Sequence, residues 1–239
     1  EMHRAYGVTG MVLAADLSDA GAPAYIMETL REEGIEIDVL VNNAGFANYG
    51  LFAENDLGSE LEVLQLNIAS LTHLTKAVLP GMLARKDGRI LNVASTAAFQ
   101  PGPYMATYYA TKAYVLSFSE AIAEELSGTG VTVTALCPGP TQTGFAARAV
   151  DITSSNLFKT GVMDAATVAQ QGYHALMAGK PLVITGWKNK NGAFLTRFAP
   201  RALTPKIVRR RQEPPDRGTP PGKTMHVGTS AHIVDEQRR

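Results

Sequence analysis

Short apolar runs alternate along this chain with longer segments of helical period, the pattern of a parallel sheet covered by helices. Residues 10–15 (GMVLAA) are apolar without a break, which predicts a buried strand ending at Asp16. Residues 23–33 read as a helix stopped by Gly34, and 37–41 as a second buried strand ending in Asn42-Asn43-Ala44-Gly45. A long helix is predicted over about 58–84, with Leu61, Leu64, Leu71, Leu74 and Val78 forming its apolar stripe. Residues 89–93 make a third strand with Ser95 just past its end, and 104–126 a helix bearing Tyr108 and Lys112. A fourth strand at 131–136 runs into Pro138-Gly139-Pro140; 163–178 looks helical and 181–185 is a short last strand. All this fits one α/β domain over 1–211.

The C-terminal part changes character. Residues 194–211 mix apolar and basic side chains, and Pro200 and Pro205 interrupt any long helix there. A solvated helix packed on the body is the ordinary reading; contact with a membrane surface or nucleic acid is the alternative. From Gln212 onward the composition, rich in Pro, Gly and charge, predicts a disordered tail over 212–239.

Composition adds a few constraints. The chain has 239 residues, 45% of them hydrophobic, enough for one larger domain with a substantial core. Lys+Arg and Asp+Glu balance at 22 each, so bulk charge gives no argument for nucleic acid. The single cysteine, Cys137, follows an apolar run; it excludes an internal disulfide framework and suits a reducing cytoplasm. No stretch approaches the roughly 18 apolar residues of a membrane span. The histidines His3, His73, His174, His226 and His232 fit neither a triad nor a metal-ligand spacing, and no G-x-S-x-G turn is present, so hydrolase and metal chemistry find no support.

The candidate chemistry lies in N-V-A-S-T-A-A-F (92–99) and T-Y-Y-A-T-K-A (107–113). Tyr108 and Lys112, four apart on a helix, share a face. A Lys ammonium there is expected to draw the phenol below its usual value of about 10 and fit it for acid–base work. The Ser95 hydroxyl can hold a reacting carbonyl or alcohol oxygen in place. Tyr109 is the rival phenol, but it points about 100° away from the lysine's face.

With these residues on a strand and the helix after it, the chain resembles the short-chain dehydrogenase/reductase family. Four further segments match in order: Asp16-Leu17, like the family's acidic residue at the adenine ring; Asn42-Asn43-Ala44-Gly45, like its N-N-A-G segment beside the cofactor; Asn67, where the family has a helix-bending Asn linked to the catalytic Lys through water; and Pro138-Gly139-Pro140-Thr141 with Thr143, like the P-G-x-x-x-T segment at the nicotinamide. The resemblance implies a Rossmann-like doubly wound parallel sheet with helices on both faces. It also implies an NADP- or NAD-dependent oxidoreductase, NADP slightly favoured, acting on a small-molecule carbonyl or secondary alcohol. Tyr108 would exchange the proton, Lys112 would bind the nicotinamide ribose, Ser95 would fix the substrate oxygen and Asn67 would support a proton relay. Cytoplasmic homodimers or homotetramers pairing through the helices at 58–84 and 104–126, with no nucleic-acid partner, complete the expectation. Residues 144–162 occupy the place of the substrate-covering loop; Phe145, Leu157, Phe158 and Met163, with Met105 and Phe99, suggest an apolar pocket.

One departure stands out. The family's opening T-G-x-x-x-G-x-G turn is missing, for Thr9-Gly10 leads straight into an apolar run, and the 41 residues before Asn42 hold one strand and one helix. A first βαβ unit, on the order of 30 residues, is therefore absent. The expectation is an N-terminally truncated copy in which the strand at 10–15 has no neighbour, the strand at 37–41 exposes an apolar edge, and cofactor binds poorly. A non-catalytic scaffold of the same fold is the alternative. An extended-type epimerase shares Y-x-x-x-K but not the N-N-A-G and P-G-P segments.

Overall fold

The computed structural model describes residue 7 and residues 10–145 and 161–213. Its strands are β1 (Val39–Asn42), β2 (Gly88–Val93), β3 (Val131–Cys137), β4 (Thr141–Gln142), β5 (Met163–Asp164) and β6 (Leu182–Ile184). Four of them form an all-parallel sheet in the order β1-β2-β3-β6, and β4 and β5 pair separately. The helices are α1 (Ala22–Glu32), α2 (Leu57–Leu64), α3 (Leu71–Arg85), α4 (Ala106–Glu125), α5 (Ala165–Met177), α6 (Trp187–Thr196) and α7 (Thr204–Gln212).

The two central strands are covered on both faces, which explains their uninterrupted apolar runs. Alternate side chains point opposite ways along a strand. On one face Ile90 and Val133 pack with Val78 and Met82 of α3 and Ile122 of α4. On the other, Leu91 and Leu136 pack with Val168 and Leu176 of α5. A buried polar ladder ties the layers together. The Asn42 amide donates to Thr75 Oγ1 at 3.0 Å and to Asn92 Oδ1 at 2.9 Å, and Asn92 donates to Ser119 Oγ at 2.9 Å. Asn42 is thus a brace between β1, β2 and α3.

The predicted strand at 10–15 does not form: residues 10–16 are irregular, with Met11 48% and Val12 91% exposed. An apolar run becomes a strand only where a ladder satisfies its backbone groups, and among the described residues the sheet ends at β1. The exposed edge expected there is present, since Val39 and Val41 stand open. The predicted long helix is α2 and α3 joined by a π-helical turn, Gln65–Ser70, that carries Asn67. Asp56 caps its start by accepting from the Ser59 amide at 2.9 Å. The prolines behave as expected: α7 opens after Pro200 with Pro205 in its first turn, where the missing N–H costs nothing.

Candidate active site

The segments that follow β1, β2 and β3 meet in a cleft of about 910 Å³ at the C-terminal edge of the sheet. Ligands bind at that edge in open α/β sheets. Each segment brings its residues because the strand before it ends there: Asn43, Ala44 and Gly45 after β1, Ser95 after β2, Pro138, Gly139, Thr141 and Thr143 after β3. Tyr108 and Lys112 reach the cleft from the first two turns of α4.

The three candidate side chains line the same cleft. The Ser95 hydroxyl lines the cleft beside Tyr108, accepts from the Ala97 amide at 3.1 Å and gives a long bond to Pro138 O at 3.4 Å. Lys112 Nζ stands 5.7 Å from the centre of the Tyr108 ring and donates to Val93 O at 2.7 Å. Burial therefore governs the titration. It pushes the Tyr108 phenol up to about 12, with the nearby Ser95 hydroxyl pulling the other way. The Lys112 amine is drawn down to about 8. The expected lowering of the phenol by the lysine is corrected here: the ammonium gives its short bond to a carbonyl, and loss of water raises the phenol.

Asn67 lies behind the cleft wall and is buried. Its amide donates to Phe46 O at 3.0 Å and to Thr111 Oγ1 at 3.1 Å, and its oxygen accepts from the Phe46 amide at 3.2 Å. Thr111 in turn donates to Tyr108 O at 2.7 Å, so Asn67 reaches the backbone of α4 through one hydroxyl. Thr111 was not singled out from the sequence; its place one residue before Lys112 was the available signal. Gly45 sits between the two partners expected to cooperate: a Cβ there would stand 3.0 Å from Asn67 Oδ1 and 3.6 Å from Lys112 Nζ.

Some expected residues lie elsewhere. Asp16 and Leu17 do not line the cleft; the Asp16 carboxylate is exposed and held by Ser18, which lowers its pKa, while Leu17 O accepts from Ser70 Oγ at 2.6 Å. With no strand at 10–15, nothing carries them to the sheet edge. Asn42 is in the ladder, not in the cleft. Met105 and Phe145 do line the cleft, and Phe145 lies 5.4 Å from the Tyr108 ring, whereas Phe99 packs under α4 and Met163 against α5. Leu157, Phe158 and nearly all of the covering loop lie outside the described residues, as do His226, His232 and the tail from 214 onward. Among the described residues no cluster suits a metal ion.

Tyr109 is buried, its hydroxyl receiving the Gln212 amide, and Gln212 O accepts from Tyr49. Together with Val208, which packs on Ala47, Ala97 and Met105, these contacts dock α7 beside the cleft. Tyr173, Val168 and Leu176 of α5 supply a further apolar wall that the sequence did not announce.

A family model described as short chain dehydrogenase matches residues 1–152, and the chain belongs to that family. Its relatives include the uncharacterized oxidoreductase YvrD of Bacillus subtilis, 42% identical over 130 residues, 54% of this chain and 49% of that protein. The chain spans about half the length of the curated relatives it matches. Among solved structures, a short-chain dehydrogenase from Sphingobium yanoikuyae in complex with NADPH is 30% identical, covers 82% of this chain and 78% of that one, and superposes with a TM-score of 0.70. A bulky-bulky ketone specific alcohol dehydrogenase from Comamonas testosteroni is 27% identical over 82% of this chain and 75% of its own, with a TM-score of 0.67. The observed sheet and its flanking helices are the Rossmann-like fold of these proteins.

Proposed function

We propose that this chain is an oxidoreductase site for hydride transfer between a nicotinamide cofactor and an apolar ketone or secondary alcohol. The convergence of Ser95, Tyr108 and Lys112 on one cleft carries the reading. The residues present suit the nicotinamide-ribose end of such a cofactor. Gly45 leaves backbone bare beside Lys112 Nζ, and Gly139, Thr141 and Thr143 offer backbone and hydroxyl groups across the cleft. When bound, the nicotinamide supplies or accepts the hydride. Ser95 holds the substrate oxygen, and Tyr108 gives that oxygen a proton or takes one from it. Lys112, protonated at neutral pH with its pKa near 8, lends positive charge as the phenol ionises. Asn67 steadies the helix turn that bears both, through Thr111.

NADP is favoured over NAD, supported by the NADPH in the Sphingobium relative. An apolar substrate is supported by Met105, Phe145, Val168 and Tyr173 along the walls, and by the ketone specificity in the Comamonas relative's name. Homodimers or homotetramers through α2, α3 and α4 belong to the same reading, supported by exposed Leu57 and Leu61 on α2 and by the stacked Tyr114–Phe118 pair on α4.

The test is consumption of reduced cofactor with a panel of bulky ketones. Tyr108→Phe is expected to lose on the order of 100-fold or more in turnover, with Tyr109→Phe staying within about threefold. Equal losses for the two variants would overturn the assignment of the proton donor. A second reading, a binding protein of this fold without turnover, is favoured by Asp16 and Leu17 standing away from the cleft. A wild-type chain that binds both an apolar ketone and reduced cofactor yet consumes no cofactor would establish it.

A further inference from the structure

Between Trp187 and Gln212 the sequence holds eight Lys and Arg and no Asp or Glu, although the whole chain balances at 22 of each sign. All eight cations are exposed. Among the described residues only Arg209 reaches a carboxylate, that of Glu213 at 3.9 Å. The same stretch also exposes its largest apolar side chains, Trp187 at 71%, Phe198 at 72%, Leu195 at 63% and Phe194 at 56%. Phe194 and Phe198 stand one turn apart with ring centres 5.2 Å from each other. Trp187, seven residues before Phe194, lies on the same side of α6. Leu203 and Ile207, before and on α7, are exposed as well. The inward side of α7 is fixed by Val208 and Gln212 against Met105 and Tyr109, and that of α6 by buried Ala193.

A surface that is both strongly cationic and strongly aromatic has a specific complement. Cations alone suit any polyanion. Aromatic rings and long aliphatic chains held out in water are stabilised at the boundary between headgroups and acyl chains, where Trp is enriched. Lys and Arg beside them gain from the negative potential of anionic headgroups. Leu195, Leu203 and Ile207 gain nothing from a nucleic-acid backbone, which favours lipid over nucleic acid. Among the described residues no helix is long and apolar enough to cross a membrane. We propose that the outer side of α6 and α7 rests on a lipid surface bearing anionic headgroups, independently of the chemistry in the cleft.

Trp187 is the chain's single tryptophan, so its fluorescence reports on this surface alone. The full 239-residue chain is mixed with vesicles of phosphatidylcholine, or of phosphatidylcholine with phosphatidylglycerol. Expected are co-sedimentation and a blue shift of Trp187 on the anionic vesicles, both weakened by high salt, and neither on the neutral ones. Each basic residue near such a surface is worth roughly fivefold in binding, so K206E/R210E, on the side of α7 opposite Val208, is expected to lose more than about 25-fold. F194S/F198S is expected to lose the blue shift, with its helical circular dichroism unchanged. Should K206E/R210E unfold, K188Q/K190Q on α6 replaces it, with a loss of roughly 25-fold expected. The proposal is overturned if anionic vesicles bring neither sedimentation nor blue shift, or if neutral vesicles bind equally well. It is also overturned if duplex DNA binds while vesicles do not, or if Trp187 shifts with protein concentration alone and F194S/F198S abolishes a dimer.

Discussion

Lys112 imposes a cost on folding that pH can expose. In the unfolded chain its amine titrates at the ordinary 10.5, and in the folded protein burial brings it down to about 8. Below pH 8 both states carry the proton, and the folded state bears the full penalty of a desolvated ammonium, roughly 3 kcal/mol at about 1.4 kcal/mol for each pKa unit. Between about 8 and 10.5 the unfolded chain keeps a proton that the folded chain has released, so stability rises with pH through that window. Above it the penalty has gone. Lys112→Met removes this pH-dependent part while keeping a chain of similar length in the space. Urea denaturation of both proteins near pH 7 and near pH 9.5 is expected to show the wild type gaining about 2 kcal/mol on the variant between the two conditions. The lost bond to Val93 O weighs on the variant at both pH values and drops out of the comparison. Tyr108 works in the opposite sense: raised to about 12, it keeps its proton in the folded state after the unfolded state has lost it, so stability falls above pH 10 and the comparison must stay below that. A difference that moves by less than about 0.5 kcal/mol would refute the reasoning, for Lys112 would then be solvated in the folded chain.

Two further outcomes are expected. Asn92→Leu strips a partner from both Asn42 and Ser119 inside the buried ladder; at about 1–3 kcal/mol for each orphaned group it should cost roughly 3 kcal/mol and lower Tm by about 10 °C, and a loss below about 1 kcal/mol in thermal unfolding would contradict the ladder. Gly45→Val pushes side-chain carbon against Asn67 and Lys112 and should reduce kcat/KM on the order of 100-fold, whereas unchanged kinetics would remove Gly45 from the floor of the reactive site.

The sheet and its site were legible where one segment of sequence holds the whole cause. β2 and β3 read as strands because burial on both faces demands continuous apolar residues, and Tyr108 with Lys112 read as a pair because helical spacing alone puts them on one face. Residues 10–15 have the same apolar look but depend on a neighbouring strand, which no local pattern encodes. The titration of Tyr108 departs from what its spacing to Lys112 implies for a related reason. Spacing brings the lysine close, but whether its charge or the loss of water prevails depends on what Lys112 donates to, and Val93 is 19 residues away in sequence. Asn67 was found through its place in the resemblance, but its grip on Thr111, 44 residues on, arises only in the folded chain.

Gln212 meets Tyr109 from 103 positions further along the sequence. Synthesis runs from the N-terminus, so every earlier wall of the cleft emerges before the piece that shields Tyr109, Met105 and Ala47. A nascent chain therefore presents this greasy, tyrosine-rich flank to its surroundings until α7 arrives to cover it, and a proteolytic nick ahead of Thr204 would reopen the same flank in the finished protein.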